Sequence, residues 1–144
     1  MTAVDYLLVG DIGGTNARFA LLEQGSVRPR AIEILPCGNY ANLDEAVIDY
    51  LGRAGVSEVS KACFAVASPV RGTRIQMTNN PWKFDTEEIR QQFGWQTGTL
   101  CQKSTGMALG VLHVSQDSLV HVCGGPGDEH RPRLVMGPGT GLGV

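Results

Sequence analysis

Apolar and polar positions fall into short runs punctuated by turn residues. Tyr6-Leu7-Leu8-Val9 is an apolar run that stops at Gly10-Asp11. Residues 17–22 alternate weakly and predict a second strand; Ala31-Ile32-Glu33-Ile34-Leu35 alternates as a third strand should. Gln24-Gly25-Ser26 supplies the turn between them. Leu43, Ala46, Val47, Tyr50, Leu51 and Ala54 then share one helical face. Asn42 and Glu45 form a capping-box pattern ahead of that face, and Gly55 ends it. Residues 62–67 have no polar member and predict a strand covered on both faces. Residues 74–77 fit a further strand ahead of the polar Thr78-Asn79-Asn80-Pro81 turn. A second helix is predicted over 86–93, capped by Asp85, then a weak strand over 97–101 and a third helix over 105–113. Leu119-Val120-His121-Val122 and Arg133-Leu134-Val135-Met136 predict two last strands around a Gly-rich loop. Three opening strands followed by strands alternating with helices make an α/β plan with a mixed sheet.

Composition narrows the class. A length of 144 residues predicts one domain, and 42% hydrophobic with 18% charged residues is a globular balance. The net charge of −2 comes without a basic stripe, which argues against nucleic acid. No apolar run approaches a membrane span. Met1-Thr2-Ala3-Val4-Asp5 has no basic start, so a cytoplasmic address is expected. Cys37, Cys63, Cys101 and Cys123 form no C-x-x-C pair and read as reduced, mostly buried thiols. His113, His121 and His130 have no metal-like partners. Glycine is different: 19 residues, about twice the usual ~7%, concentrated near the start and at the end.

Those glycines mark the candidate chemistry. Gly10-Asp11-Ile12-Gly13-Gly14-Thr15-Asn16 lies in the first hairpin. Side-chain-free positions let backbone N–H groups approach a phosphate, and Thr15 adds a hydroxyl. Asp11 would repel phosphate unless a cation intervened, and Mg²⁺, directly or through water, is the natural mediator. Against this stands an ordinary hairpin turn. Gly137-Pro138-Gly139-Thr140-Gly141-Leu142-Gly143 is a second, weaker phosphate-loop candidate. Neither is a Walker A loop, which needs Gly-Lys-Ser/Thr. The amides of Asn79 and Asn80 offer donors and acceptors suited to sugar hydroxyls, beside a candidate apolar wall at Trp82, although an Asn-Pro turn next to a core Trp explains them equally well.

The string from Val9 to Leu22, the Met77-Thr78-Asn79-Asn80-Pro81-Trp82 segment and the glycine loop at 137–144 together resemble the bacterial ATP-dependent glucokinases. That family lies within the ribonuclease-H-like/actin-like ATPase superfamily of sugar kinases. The resemblance runs along nearly the whole chain but covers only the N-terminal part of a family member. It implies a mixed sheet with helices on its faces, residues 1–144 being the N-terminal domain without the family's C-terminal one. It implies ATP with Mg²⁺ held by Gly10, Asp11, Gly13, Gly14, Thr15, Asn16, Gly139, Thr140 and Gly141. It implies glucose near Asn79, Asn80, Gln102 and Gly137. Homodimers are ordinary for the family.

One departure falls on the catalytic base. The family carries Asn-Asp-Phe-Thr-Ala, whose Asn holds sugar hydroxyls and whose Asp accepts the proton of the attacking hydroxyl. Here the matching stretch is Gln102-Lys103-Ser104-Thr105-Gly106, so Lys103 takes the Asp position. A Lys is a cation at neutral pH and has no basic lone pair. The resemblance therefore implies phosphorylation of glucose to glucose 6-phosphate as the family reaction, with this chain impaired in it. The alternative is a non-catalytic kinase remnant that binds sugar or nucleotide.

Overall fold

A computed structural model of the chain describes residues 5–128, 130–138 and 142–143. The chain divides into two compact units, residues 1–103 and 104–144.

The first unit is built on a five-stranded mixed sheet. β1 (Tyr6–Ile12) and β2 (Asn16–Glu23) form an antiparallel hairpin, and β3 (Arg30–Pro36) adds antiparallel to β2. β4 (Lys61–Val66) runs parallel to β1, and β7 (Thr97–Gln102) parallel to β4, giving the order β3-β2-β1-β4-β7. β5 (Arg74–Gln76) and β6 (Lys83–Asp85) make a separate small hairpin. β1 outruns the predicted apolar run, because its ladder with β4 continues through Gly10↔Phe64 and Asp11↔Ala65 to Ile12↔Val66.

Alternation splits the sheet into two faces. Leu8, Ile12, Phe19, Ala62, Phe64 and Val66 are buried on one of them. Helices α1 (Leu43–Ala54) and α2 (Thr86–Gln92) both cover that face: Phe19 stacks on Tyr50 of α1 at 5.2 Å between ring centroids, and Phe64 meets Trp95, just after α2, at 5.7 Å. Each such buried side chain contributes about 1.5–3 kcal/mol relative to exposure. The caps are those the sequence predicts. Asn42 accepts from the Glu45 N–H at 3.0 Å, Gly55 closes α1 at φ 67°, and Asp85 accepts from the Glu87 N–H at 2.9 Å. Asp11, Arg18 and Lys103 belong to the opposite face or its rim, at the C-terminal ends of the parallel strands.

In the second unit the outcome differs from the sequence pattern. α3 (Lys103–Gly110), which begins at the last residue of the first unit, starts two residues early and tightens into a 3₁₀ turn over Val111–His113. The strands predicted at 119–122 and 133–136 do not form. Val120, Val122 and Leu134 are largely exposed there. A strand requires a neighbour for its backbone hydrogen bonds and a buried side for its apolar residues, and these segments have neither among the described residues. What does form is a two-residue ladder of β8 (Gly137–Pro138) with β9 (Leu142–Gly143).

Candidate functional site

The β1–β2 hairpin loop, residues 13–15, is fixed from several directions. The Gly13 N–H donates to the Asn16 carbonyl at 2.9 Å, and the Cys37 N–H donates to the Thr15 carbonyl at 2.8 Å. The Gly13 carbonyl accepts from Asn80 Nδ2 at 3.1 Å and faces the Cys37 thiol at 3.6 Å. Burial pushes the Cys37 thiol pKa up, so it stays protonated and serves as packing. Gly14 lies against Asn79: a Cβ built at position 14 would fall 2.5 Å from Asn79 Cβ. The N–H groups of Gly14 and Thr15 and the Thr15 hydroxyl take no partner among the described residues, leaving a row of donors on the loop.

The 78–82 turn is equally well held. Buried Ser68, just past β4, accepts the Thr78 N–H through Oγ at 2.9 Å. Asn80 Oδ1 accepts the Trp82 N–H at 2.9 Å, and fully buried Trp82 donates Nε1–H to the Tyr40 carbonyl at 3.0 Å. The Asn80 amide is thus used at both ends to staple turn to hairpin, and Trp82 is core. Asn79 is exposed.

Asp11 is the electrostatic centre. Its Oδ2 accepts from Arg18 Nη1 at 3.0 Å and from Lys103 Nζ at 3.1 Å. Its Oδ1 is buried and has no partner among the described residues. Arg18 faces Asp11 because the two are register partners across β1 and β2. Lys103 opens α3, where the helix dipole disfavours a cation, and the Asp11 carboxylate offsets that cost.

The structure therefore brings together Asp11, Gly13, Gly14, Thr15, Asn79, Asn80 and Lys103. Gly10 stands apart: it lies within β1 on the core face, where a Cβ would fall 2.6 Å from the Phe64 ring, so its lack of a side chain already serves packing. Asn16 opens β2, and its carbonyl holds the loop. Gln102 ends β7 and is exposed. Gly137 sits in β8 of the second unit, close under the Met107 thioether. Gly139, Thr140 and Gly141 lie outside the described residues. Sequence reasoning missed Arg18 and Ser68. Hairpin register would have found Arg18; nothing local marks Ser68.

The donor set at Asp11 does not suit Mg²⁺. A divalent ion needs a carboxylate oxygen, directly or through its water. Oδ2 already accepts two cationic donors, and Oδ1 presents no surface. The described residues include no group of three His, Cys, Asp or Glu side chains placed to hold a metal.

Sheet order β3-β2-β1-β4-β7, with an antiparallel hairpin feeding parallel strands and a polar loop at the hairpin tip, defines the actin-like ATPase fold of sugar kinases. The chain belongs to the glucokinase family, whose family model matches residues 8–144. It is 67% identical over its full length to a glucokinase of Marinobacter nauticus and 51% identical to one of Hahella chejuensis. In each case it spans 45% of the relative's length. A crystal structure of a glucokinase from an Antarctic psychrotroph superposes with a TM-score of 0.84 at 31% identity, covering 98% of this chain and 45% of that one.

Proposed function

We propose that the chain carries the N-terminal part of a sugar kinase whose reaction is ATP-dependent phosphorylation of glucose to glucose 6-phosphate, and that Lys103 impairs this reaction. The observation that supports it is the loop at 13–15, clamped by Asn80 and Cys37, whose Gly14 and Thr15 N–H groups take no partner among the described residues. On this reading Gly13, Gly14, Thr15 and Asn16 cradle ATP phosphates, Asn79 and Gln102 take the sugar, and Asn80 positions the loop rather than the substrate. Phosphoryl transfer depends chiefly on positioning and charge neutralisation. The hydroxyl that attacks must still lose its proton, and Lys103, held as an ammonium donor to Asp11, offers no acceptor.

The second reading, a binder without turnover, is favoured by that same ion pair: it leaves an anion-attracting loop and removes the base. A working site and homodimers would belong to the whole protein. A cytoplasmic location remains part of the proposal; among the described residues no helix is long and apolar enough to cross a membrane.

Glucose-dependent ADP formation tests the reading. The chain and its Lys103→Asp variant are each joined to the C-terminal part of a relative. General-base chemistry contributes about 10²–10⁴-fold, so the variant should gain by that order. Equal rates with Lys and Asp at 103 would defeat the impairment claim. Silence from both would favour the binder.

A further inference from the structure

We infer that Lys103 is a built-in replacement for a divalent cation, so that the hairpin loop binds the polyphosphate of a nucleotide without Mg²⁺. The inference rests on the nucleotide reading above. It is carried by one geometry: Arg18 Nη1 and Lys103 Nζ, 3.0 and 3.1 Å from the same oxygen of Asp11, with the other oxygen buried and without a partner among the described residues.

Charge counting shows what this does. One carboxylate and two cations leave the cluster with a single net positive charge. An Asp at position 103 would give two carboxylates and one cation, a net negative charge, and an incoming triphosphate would then require a metal between. Changing that side chain moves the local charge by two units. The side chains of Arg18, Asp11 and Lys103 are 47%, 33% and 38% exposed, so both cations reach solvent and can meet an anion. Neither needs to leave Asp11 to do so, since each cation carries further N–H donors. The Gly14 and Thr15 N–H groups at the end of the same strand, without partners among the described residues, add neutral donors. Anion and fixed cations then form an alternating row, and a mobile cation has no role left.

Magnesium also lowers the charge of ATP by two. A loop with a fixed positive charge should prefer the free, more negative form. At a separation of about 8–9 Å between the cluster and the phosphate charge in a water-like dielectric, this two-charge difference makes the preference about fivefold.

The experiment is calorimetric titration of the chain with ATP, in EDTA and in millimolar Mg²⁺, alongside Lys103→Asp and Lys103→Ala. The native chain should bind equally well or about fivefold tighter in EDTA. Lys103→Asp should reverse the order, and Lys103→Ala should lose the preference. Tighter binding by the native chain in Mg²⁺ overturns the inference while leaving the nucleotide reading intact. Absence of binding by all three chains in both media, with inorganic tripolyphosphate also silent, overturns the nucleotide reading itself. The carboxyl ¹³C resonance of Asp11 then decides the remaining claim without any nucleotide. It should stay fixed as Mg²⁺ is added to the native chain and move in Lys103→Asp; a saturable shift in the native chain overturns the replacement.

Discussion

At Gly14 the hairpin backbone runs so close to Asn79 that no side chain has room. An added Cβ would lie 2.5 Å from Asn79 Cβ and 3.1 Å from its carbonyl oxygen, and both belong to a turn fixed by Ser68 and Trp82. Loop and turn cannot separate without breaking the Asn80–Gly13 hydrogen bond. Gly14→Ala should therefore cost about 1–3 kcal/mol, the range for overpacking, as a lower urea midpoint with unchanged slope. At Gly13 the corresponding contact, Asn16 O at 3.1 Å, is milder, and Gly13→Ala should cost less. An unchanged midpoint for Gly14→Ala would mean that the loop and the 78–82 turn are not packed together as described. Much of this site was legible in the chain: the glycine string, the Asn pair and the Lys at 103 are local signals. The partnership of Arg18, Asp11 and Lys103 was not, because it joins β2, β1 and the start of α3 just past β7, and only register and strand order bring Arg18 and Lys103 to one oxygen of Asp11. At Asn80 the structure shows a turn-to-hairpin staple that residue type did not single out. An amide suited to a sugar is equally suited to a carbonyl and a backbone N–H, and residue type does not choose between them.

The helices were the most legible elements because their ends carry chemistry as well as periodicity. Asn42, Gly55 and Asp85 act where the sequence places them. β6 was overlooked since three residues cannot show a period, and β1 was cut short because Gly-Asp reads as a turn when no ladder is in view. α2 also carries a pH signature. Arg90 donates to both Glu87 oxygens, at 2.6 and 2.9 Å, and Gln91 donates at 3.0 Å. These bonds, the Arg90 pair foremost, hold the Glu87 pKa at about 2 against an ordinary 4.5. A carboxylate whose folded pKa is depressed contributes fully above its unfolded value and loses that contribution as pH falls through the folded one. The stability difference between the native chain and Glu87→Gln should be constant above pH 4.5 and shrink as pH falls toward about 2. The effect is small because the pair is exposed and screened. Urea midpoints across the acid limb measure it, and a difference that grows toward low pH would contradict the bonding described for Arg90.

Stability should be distributed unevenly over the molecule. Among the described residues the first unit holds the whole buried core, from Leu8 to Trp95, built on a sheet whose central strands are bonded on both sides. The second buries none of its large apolar side chains among the described residues: Leu112, Val120, Val122 and Leu134 are all more than half exposed. Its helix α3 carries Gly106 and Gly110, each costing about 1 kcal/mol against Ala, and none of its residues is buried. Short helices without a packed face are marginal in water, so local opening there should require little free energy. The chain spans 45% of the relatives it matches, and an unpacked apolar surface fits a unit whose packing partners lie in the rest of such a protein. Hydrogen exchange reads this directly. Amides of 111–128 and 130–136 should exchange almost at the rate of an unfolded peptide, while those of β1, β4 and α1 should be protected up to the global unfolding free energy. Joining the C-terminal part of a relative should raise protection in the second unit by orders of magnitude and leave β1, β4 and α1 nearly unchanged. Uniform protection in the isolated chain would mean that the second unit is held by contacts its exposure does not reveal. Protection that stays low in the joined protein would remove packing as the reason for its apolar surface.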